Sequence, residues 1–117
     1  MYEFRLLTVR FDGHTLHAVL PYTRLIGHWY REGLTEDFGQ LPEFGASVIR
    51  IDLRSVESID GYFLRPLITL AKSLAAVGAR LTVEVSPKME EVLRITRLDR
   101  LFEVVGGAGE MRTADPA

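Results

Sequence analysis

The chain contains no cysteine among its 117 residues. This absence excludes disulfides and cysteine-ligated zinc, and it fits a reducing compartment, so we expect a cytoplasmic protein. Long apolar runs are missing as well, since no segment approaches the ~20 residues that a membrane-spanning helix needs. The N-terminal residues MYEFRLLTVR lack the basic stretch and the apolar stretch of a signal peptide. We therefore expect no direct insertion into a membrane.

Excess positive charge is also absent. The formal net charge is −2 at pH 7, whereas proteins that bind DNA or RNA usually present a basic face, because neutralising phosphates supplies much of their affinity. We therefore expect no nucleic-acid partner. Hydrophobic residues make up 47% of the chain and charged residues 26%, which is the ordinary composition of one globular domain with its own core.

Catalytic and ligand-binding motifs are missing too. The sequence has no GxSxG, no HExxH and no glycine-rich dinucleotide loop that opens a helix. His14 and His17 are three apart on a predicted strand, so their side chains would point to opposite faces, and His28 lies on another element. We expect no metal site, no cofactor and no enzymatic activity.

What the sequence does contain is an alternation of strand-like and helix-like segments. Asp12-Gly13 stands between two β-rich runs and predicts a hairpin with a type I′ turn, joining strands over 3–11 and 14–20. Thr23 is a candidate N-cap for a helix that runs to about residue 40. Glycines interrupt this helical pattern, each at a cost of up to ~1 kcal/mol against alanine.

The second half of the chain repeats strand–helix units. Ser86-Pro87 is a typical helix start, and Gly78 is well placed as the C-cap of the helix before it. The predicted elements are a strand over 48–53, a helix over 61–77, a strand over 79–85, a helix from residue 87 and a strand over 101–105.

The order β-β-α-β-α-β-α-β predicts an α/β fold with a mixed sheet: an N-terminal hairpin is followed by alternating helices and strands that are largely parallel. We assign residues 1–105 to this domain. Residues 106–117 are small, polar and aperiodic, so we expect them to form a disordered tail.

Three ordered blocks between Val48 and Val105 carry a resemblance to a known family. They read VIRIDLRSVESID, VGARLTVEV and SPKMEEVLRITRLDRLFEV. This run resembles the STAS domain, the fold of the anti-anti-sigma factors, which antagonise anti-sigma factors. The match covers about half of the chain residue by residue, and the N-terminal half agrees only in the order of its elements.

The sequence departs from the family pattern where members of that family are phosphorylated. Their usual segment reads D-S-S/T-G-L, with the serine after the aspartate as the phosphorylation site. Here Asp60 matches the aspartate, Gly61 stands at the serine position, and Tyr62 and Phe63 replace the next two residues. Glycine has no hydroxyl, so the phosphoacceptor does not carry over. Arg97 is a second departure, since it replaces the glycine of a T-G-L segment near the C-terminus.

The resemblance implies that this strand-to-helix turn binds a partner protein. The expected contact residues are Ser58, Asp60, Gly61, Tyr62, Phe63 and Arg65. Local explanations stay open beside this one, because a carboxylate at a helix N-terminus accepts backbone N–H bonds and a glycine relaxes a tight turn. Ser58 and Tyr62 stay open as substitute phosphoacceptors, although we favour the absence of any phosphorylation switch.

Pro66 leaves two geometries open for the helix that follows the turn. A helix beginning at Gly61 would place Pro66 beyond the first turn, where proline removes a backbone hydrogen bond. Either the helix begins later, near Arg65, or it kinks. A late start would leave Tyr62 and Phe63 on an exposed loop, and the alternative is that one or both of these rings fold into the core.

Taken with the resemblance, these features predict a non-enzymatic protein-interaction module of bacterial regulation. The expected partner is an anti-sigma factor, a kinase-like regulator of that kind, or another cytoplasmic protein. Two alternatives remain at this point: the STAS subunit of a lipid-transporting ABC system, and a small-ligand sensor domain. The oligomeric state is open, with a homodimer as one option.

Overall fold

The computed structural model describes residues 2–106 and 111–112. Its strands are β1 Tyr2–Glu3, β2 Thr8–Phe11, β3 Thr15–Val19, β4 Arg24–Leu25, β5 Val48–Leu53, β6 Ser58–Ile59, β7 Arg80–Val85, β8 Glu103–Val105 and β9 Met111–Arg112. Its helices are α1 Arg31–Gln40, α2 Leu64–Ala76 and α3 Pro87–Ile95, and 3-10 turns cover Leu41–Phe44, Gly61–Phe63 and Leu98–Arg100.

Within the described residues, seven strands form one mixed sheet in the order β1-β2-β3-β5-β7-β8-β9. The four central strands, β3, β5, β7 and β8, run parallel, and the pairs at both edges are antiparallel. β4 and β6 form a separate two-stranded parallel sheet. The predicted α/β fold with a mixed sheet is confirmed.

One face of the main sheet forms the core and the other is polar. Residues on one face of β5 and β7 are buried in alternation, and α2 and α3 pack against β7. The core residues of these strands are Ile49, Ile51, Leu53, Leu81, Val83 and Val85. On the other face Arg50 of β5 forms an ion pair with Glu84 of β7, at 3.0 Å. This alternation is what an α/β sheet covered by helices on one side requires.

The N-terminal hairpin is confirmed, but its turn is not of type I′. That turn needs a positive φ at both central residues. Gly13 has a φ of 95°, whereas the one non-glycine residue with a positive φ in the described chain is Arg97. The Asp12 carboxylate instead accepts hydrogen bonds from the N–H groups of His14 and Thr15, at 2.9 and 2.7 Å. This aspartate-centred turn closes the loop without a left-handed aspartate.

The predicted strand over 3–11 is interrupted between β1 and β2 by a buried acid from another element. Asp37 of α1 is 1% exposed. Its carboxylate accepts hydrogen bonds from the backbone N–H groups of Arg5 at 3.2 Å, Leu6 at 2.6 Å and Leu7 at 3.1 Å. These three donors are used by Asp37, so they are not available to a continuous strand ladder.

We predict that Asp37→Ala destabilises the fold by about 3 kcal/mol, because buried donors lose a charged acceptor. Chemical denaturation at neutral pH measures this loss. The matched control is Glu36→Gln, which removes the neighbouring carboxylate that pairs with Arg5 on the exposed surface and should cost less than about 1 kcal/mol. Equal effects of the two substitutions would contradict the role given to Asp37.

The helix predicted to follow an N-cap at Thr23 begins seven residues too early, since the N-cap of α1 is Tyr30 and its first residue is Arg31. The carbonyl of Thr23 accepts hydrogen bonds from Glu57 N–H and Ser58 N–H, so Thr23 does not cap a helix. Leu25, fully buried, pairs with Ile59 in the small sheet. This long-range pairing gives the backbone partners that a helix would otherwise supply.

The later elements follow the prediction closely. Ser86 caps α3 by accepting a hydrogen bond from Met89 N–H at 3.3 Å, with Pro87 in the first helical position. Gly78 has the left-handed φ of 74° expected of a C-cap glycine. Within the predicted disordered tail, Met111–Arg112 form β9 against β8; residues 107–110 and 113–117 lie outside the described residues.

Arg97 adopts a conformation that favours glycine. It lies between α3 and the 3-10 turn Leu98–Arg100, with φ 62° and ψ 21°. A left-handed conformation costs a residue with a Cβ roughly 1–2 kcal/mol. Arg97 therefore has a backbone conformation that glycine adopts without this cost, at the position where the sequence departs from the T-G-L pattern.

We predict that Arg97→Gly raises the free energy of unfolding by about 0.5–1 kcal/mol, because relief of the left-handed strain exceeds the extra entropy of glycine in the unfolded chain. The control is Arg94→Gly inside α3, which should lower stability by about 1 kcal/mol. Urea denaturation of both variants measures these changes in the free energy of unfolding. A loss of stability in Arg97→Gly would contradict the strain assigned to Arg97.

Candidate functional site

The candidate site is the short segment between β6 and α2. Asp60 leaves β6 in an extended conformation and caps the 3-10 turn Gly61–Phe63, accepting a hydrogen bond from Tyr62 N–H at 3.2 Å. The local role predicted for this acid, as an N-cap, is confirmed. The backbone N–H of Asp60 also donates to the carbonyl of Leu25 in β4, at 3.1 Å. The turn is therefore fixed to the small sheet on its N-terminal side.

The same carboxylate also binds groups that are about thirty residues away in sequence. It accepts hydrogen bonds from Gly27 N–H at 2.9 Å and from the hydroxyl of Tyr30, and the Arg31 guanidinium lies at 3.5 Å. Gly27 and Tyr30 belong to the loop between β4 and α1, and Arg31 is the first residue of α1. One carboxylate thus holds the turn and this loop side by side.

These donors set the protonation state of Asp60. The hydrogen bond from the Tyr30 hydroxyl, with support from Gly27 N–H and Arg31, outweighs partial desolvation and lowers the pKa of Asp60 to about 2. Burial and the neighbouring carboxylate raise the pKa of Tyr30. At neutral pH an ionised Asp60 therefore accepts from a neutral phenol. Such a carboxylate is a poor proton acceptor for catalysis, and its chemistry here is that of a structural anchor.

The two aromatic residues of the turn point in opposite directions. Tyr62 is 42% exposed, and the guanidinium carbons of Arg31 and Arg65 lie 3.9 and 5.1 Å from its ring centroid. Cation–π contacts with both arginines hold this ring in place. Phe63 is fully buried beside Tyr30, so its expected contact with a partner is wrong, because the side chain belongs to the core.

Gly61 is exposed. Neither its backbone conformation nor the space around it requires a glycine at this position. Its φ is not in the left-handed region, and a Cβ added there would meet no heavy atom within 4 Å. The position that carries serine in STAS sequences therefore has room for a side chain. Ser58, by contrast, is half-buried within β6.

Pro66 is accommodated by a late helix start. α2 begins at Leu64, so Pro66 is the third helical residue, where the N–H has no partner within the helix. Of the two geometries that the sequence left open, the late start is the observed one. The 3-10 turn before it is what places Tyr62 outside and Phe63 inside.

Two further exposed apolar residues lie on the loop beside the turn, and the sequence did not point to them. Ile26 is 41% exposed and Trp29 is 55% exposed. The indole N–H of Trp29 donates to the carbonyl of Ile26 at 3.0 Å, which orders the loop. Both residues fell within a predicted helix, and the adjacent Trp29-Tyr30 pair was the one local signal. We call Ile26, Trp29, Gly61, Tyr62 and Arg65 the turn surface.

Comparison with known proteins agrees with the resemblance seen in the sequence. A curated protein of Thermotoga neapolitana, whose name proposes an anti-sigma factor antagonist, is 36% identical over 69 residues, which cover 57% of this chain and 60% of the relative. The chain is similar to the anti-sigma factor antagonists. It spans less than two-thirds of that relative's length. A scan against family models finds no match.

Two classes of feature were also sought across residues 2–106 and 111–112. No group of three or more histidine, aspartate or glutamate side chains there is placed to hold a metal ion. No described helix has both the length and the apolar character to cross a membrane.

We predict a specific pH signature for Asp60→Asn. Because the folded pKa of about 2 lies below the unfolded value of about 3.9, the ionised carboxylate stabilises the fold fully above about pH 5, and this contribution is lost as pH falls towards 2. The stability advantage of the wild type over Asp60→Asn should therefore shrink across this range. Urea titrations at several pH values measure it.

Tyr30→Phe is the companion variant in this experiment. It removes the donor that lowers the pKa of Asp60 most, so its acid-induced loss of stability should be smaller than that of the wild type. A difference between wild type and Asp60→Asn that stays constant from neutral pH to acid would contradict this reading of the carboxylate.

Proposed function

We propose that this protein is a non-enzymatic interaction module that acts in the bacterial cytoplasm as an antagonist of an anti-sigma factor or of a related kinase-like regulator. The observation that carries the proposal is Tyr62, an exposed ring in contact with two arginines, on a turn that Asp60 caps. The similarity to the Thermotoga neapolitana protein, through its name, supports the same role.

The composition of the turn surface supports protein contact. Tryptophan, tyrosine and arginine are the residues that most often dominate binding energy at protein interfaces. Trp29, Tyr62 and Arg65 are all exposed here. The ring positions are set in advance by hydrogen bonds and cation–π contacts, so little conformational entropy is lost when a partner docks.

The proposed module works without a phosphate switch at the usual position. Phosphorylation of the family serine would add about two negative charges beside the aspartate and weaken partner binding. Gly61 has no hydroxyl, although the position has room for one. We infer that the protein is held in the state that binds its partner, and that control comes from its abundance or from the partner.

We predict that Gly61→Glu lowers partner capture at least tenfold, because it places a carboxylate beside Asp60 and within the turn surface. The assay is a pull-down from the source cell with wild type and variant, followed by mass spectrometry of the bound proteins. The matched control is Ala75→Glu, which adds the same charge at an exposed position near the far end of α2 and should leave capture unchanged.

Thermal melts of both variants confirm that the fold is intact before binding is compared. A partner that is lost only in Gly61→Glu supports the turn surface, and an anti-sigma factor or kinase-like regulator as that partner supports the role. A nucleotide-binding subunit of a transporter would contradict the transcriptional role and favour the lipid-transport alternative. Equal capture of the partner by the wild type, Gly61→Glu and Ala75→Glu would contradict the proposal that the partner binds the turn surface.

A further inference from the structure

A groove between α1 and α2 adjoins the turn surface. It encloses about 370 Å³ and is lined by Thr35, Phe38, Gly39, Pro42, Tyr62, Arg65, Pro66, Thr69, Leu70 and Ser73. We call it the helix groove. Tyr62 and Arg65 belong both to the groove and to the turn surface, so the two features are continuous.

The groove has an apolar base and an open side. Phe38 of α1 and Leu70 of α2 lie at its base and are each 2% exposed. Gly39 contributes no side chain on the α1 side of the groove. The space beside it is open, since a Cβ added there would meet no heavy atom within 4 Å. An apolar groove that begins at a candidate interface and is not filled by residues 2–106 or 111–112 is suited to an apolar side chain from outside.

The charge of the groove restricts what it can bind. Arg65 is the one charged residue among those that line it. Its guanidinium lies over the ring of Tyr62 and makes no ion pair within the described residues. Desolvation of this guanidinium by a docked partner would be costly unless a carboxylate approached it. An apolar side chain with a carboxylate close by is therefore the chemistry that complements both parts of the groove.

The exposed rim favours a protein segment over a free small molecule. Thr35, Gly39, Thr69 and Ser73 are all exposed, so a ligand held here alone would keep much of its surface in water. Small-molecule sites usually bury 70–90% or more of a drug-sized ligand. A segment that is already anchored on the turn surface has no such requirement, and helices commonly dock apolar side chains into open grooves of this kind.

We propose that the helix groove receives an apolar side chain of the protein that docks on the turn surface, with an acidic residue of the same segment against Arg65. This inference rests on the proposed interaction function and names the chemistry of the partner segment. The groove would extend the interface along α1 and α2, and the match of apolar side chain and carboxylate would contribute to partner selection.

The test uses the protein captured by the wild type, expressed and purified, with its affinity measured by calorimetry. Gly39→Leu places a side chain in the groove and replaces a helix glycine by a better helix former, so the melting temperature should not fall. We expect its affinity to drop at least tenfold. The control is Gln40→Leu, which adds the same side chain to the next residue of α1, outside the groove lining, and should bind as the wild type does.

A photo-crosslinking residue at Ser73 identifies the segment that occupies the groove. We expect cross-links to a partner segment with an apolar residue and an acidic residue within one helical turn of each other. Cross-links to a basic segment, or to none, would overturn the proposal. Arg65→Gln should weaken binding and reduce its dependence on salt concentration, and an unchanged salt dependence would count against the carboxylate.

The outcomes separate this inference from the proposed function. If Gly39→Leu binds normally while Gly61→Glu does not, the turn surface stands and the groove proposal is wrong. If the wild type captures no partner, the proposed function fails and the inference fails with it. A small molecule that copurifies with the wild type and is lost in Gly39→Leu, seen by native mass spectrometry, would overturn the proposal in favour of a ligand site.

Discussion

The ionised carboxylate of Asp60 is the contact on which the candidate site depends. Its donors come from the turn after β6, from the loop after β4 and from the first residue of α1. The turn and the loop lie outside the long helices and strands, whereas Arg31 begins α1. Because the carboxylate is shared among them, the exposed rings of Trp29 and Tyr62 lie on backbone that is held in place, as the proposed interaction function requires.

A second carboxylate does similar work at the N-terminal edge of the sheet. Asp37 accepts backbone hydrogen bonds from Arg5, Leu6 and Leu7, and so ties irregular chain to α1. In both places an acid replaces the backbone partner that regular secondary structure would have supplied. The difference lies in exposure: Asp37 is buried, whereas Asp60 is half-buried and its donors also position the turn surface.

Much of the fold was predictable because its signals are local. Ser86-Pro87, Gly78 and Asp12-Gly13 each act within a few residues, and each marks a real boundary in the structure. The two-residue strands β4 and β6 were missed, because their pairing of Leu25 with Ile59 joins residues far apart in sequence and leaves no periodicity. The helix predicted to begin at Thr23 was wrong for the same reason, because the strand there is formed by pairing with distant residues.

The candidate site was predictable in place but not in detail. The resemblance located the turn, and Pro66 left a late helix start and a kink open as the two possible geometries. Adjacent aromatics cannot be assigned to core or surface from sequence, and only the 3-10 turn showed that Phe63 is inside. The position of the loop that carries Trp29 depends on the hydrogen bonds from Gly27 and Tyr30 to Asp60, which no local sequence pattern encodes.

The most direct test of this account is amide hydrogen exchange in wild type and Asp60→Asn. The account predicts faster exchange at Gly27 and Tyr62, the two amides bound by the carboxylate, with β5 and β7 unchanged. Unchanged protection at both amides would show that the turn and the loop hold their positions without Asp60, and would contradict the central role assigned to this carboxylate.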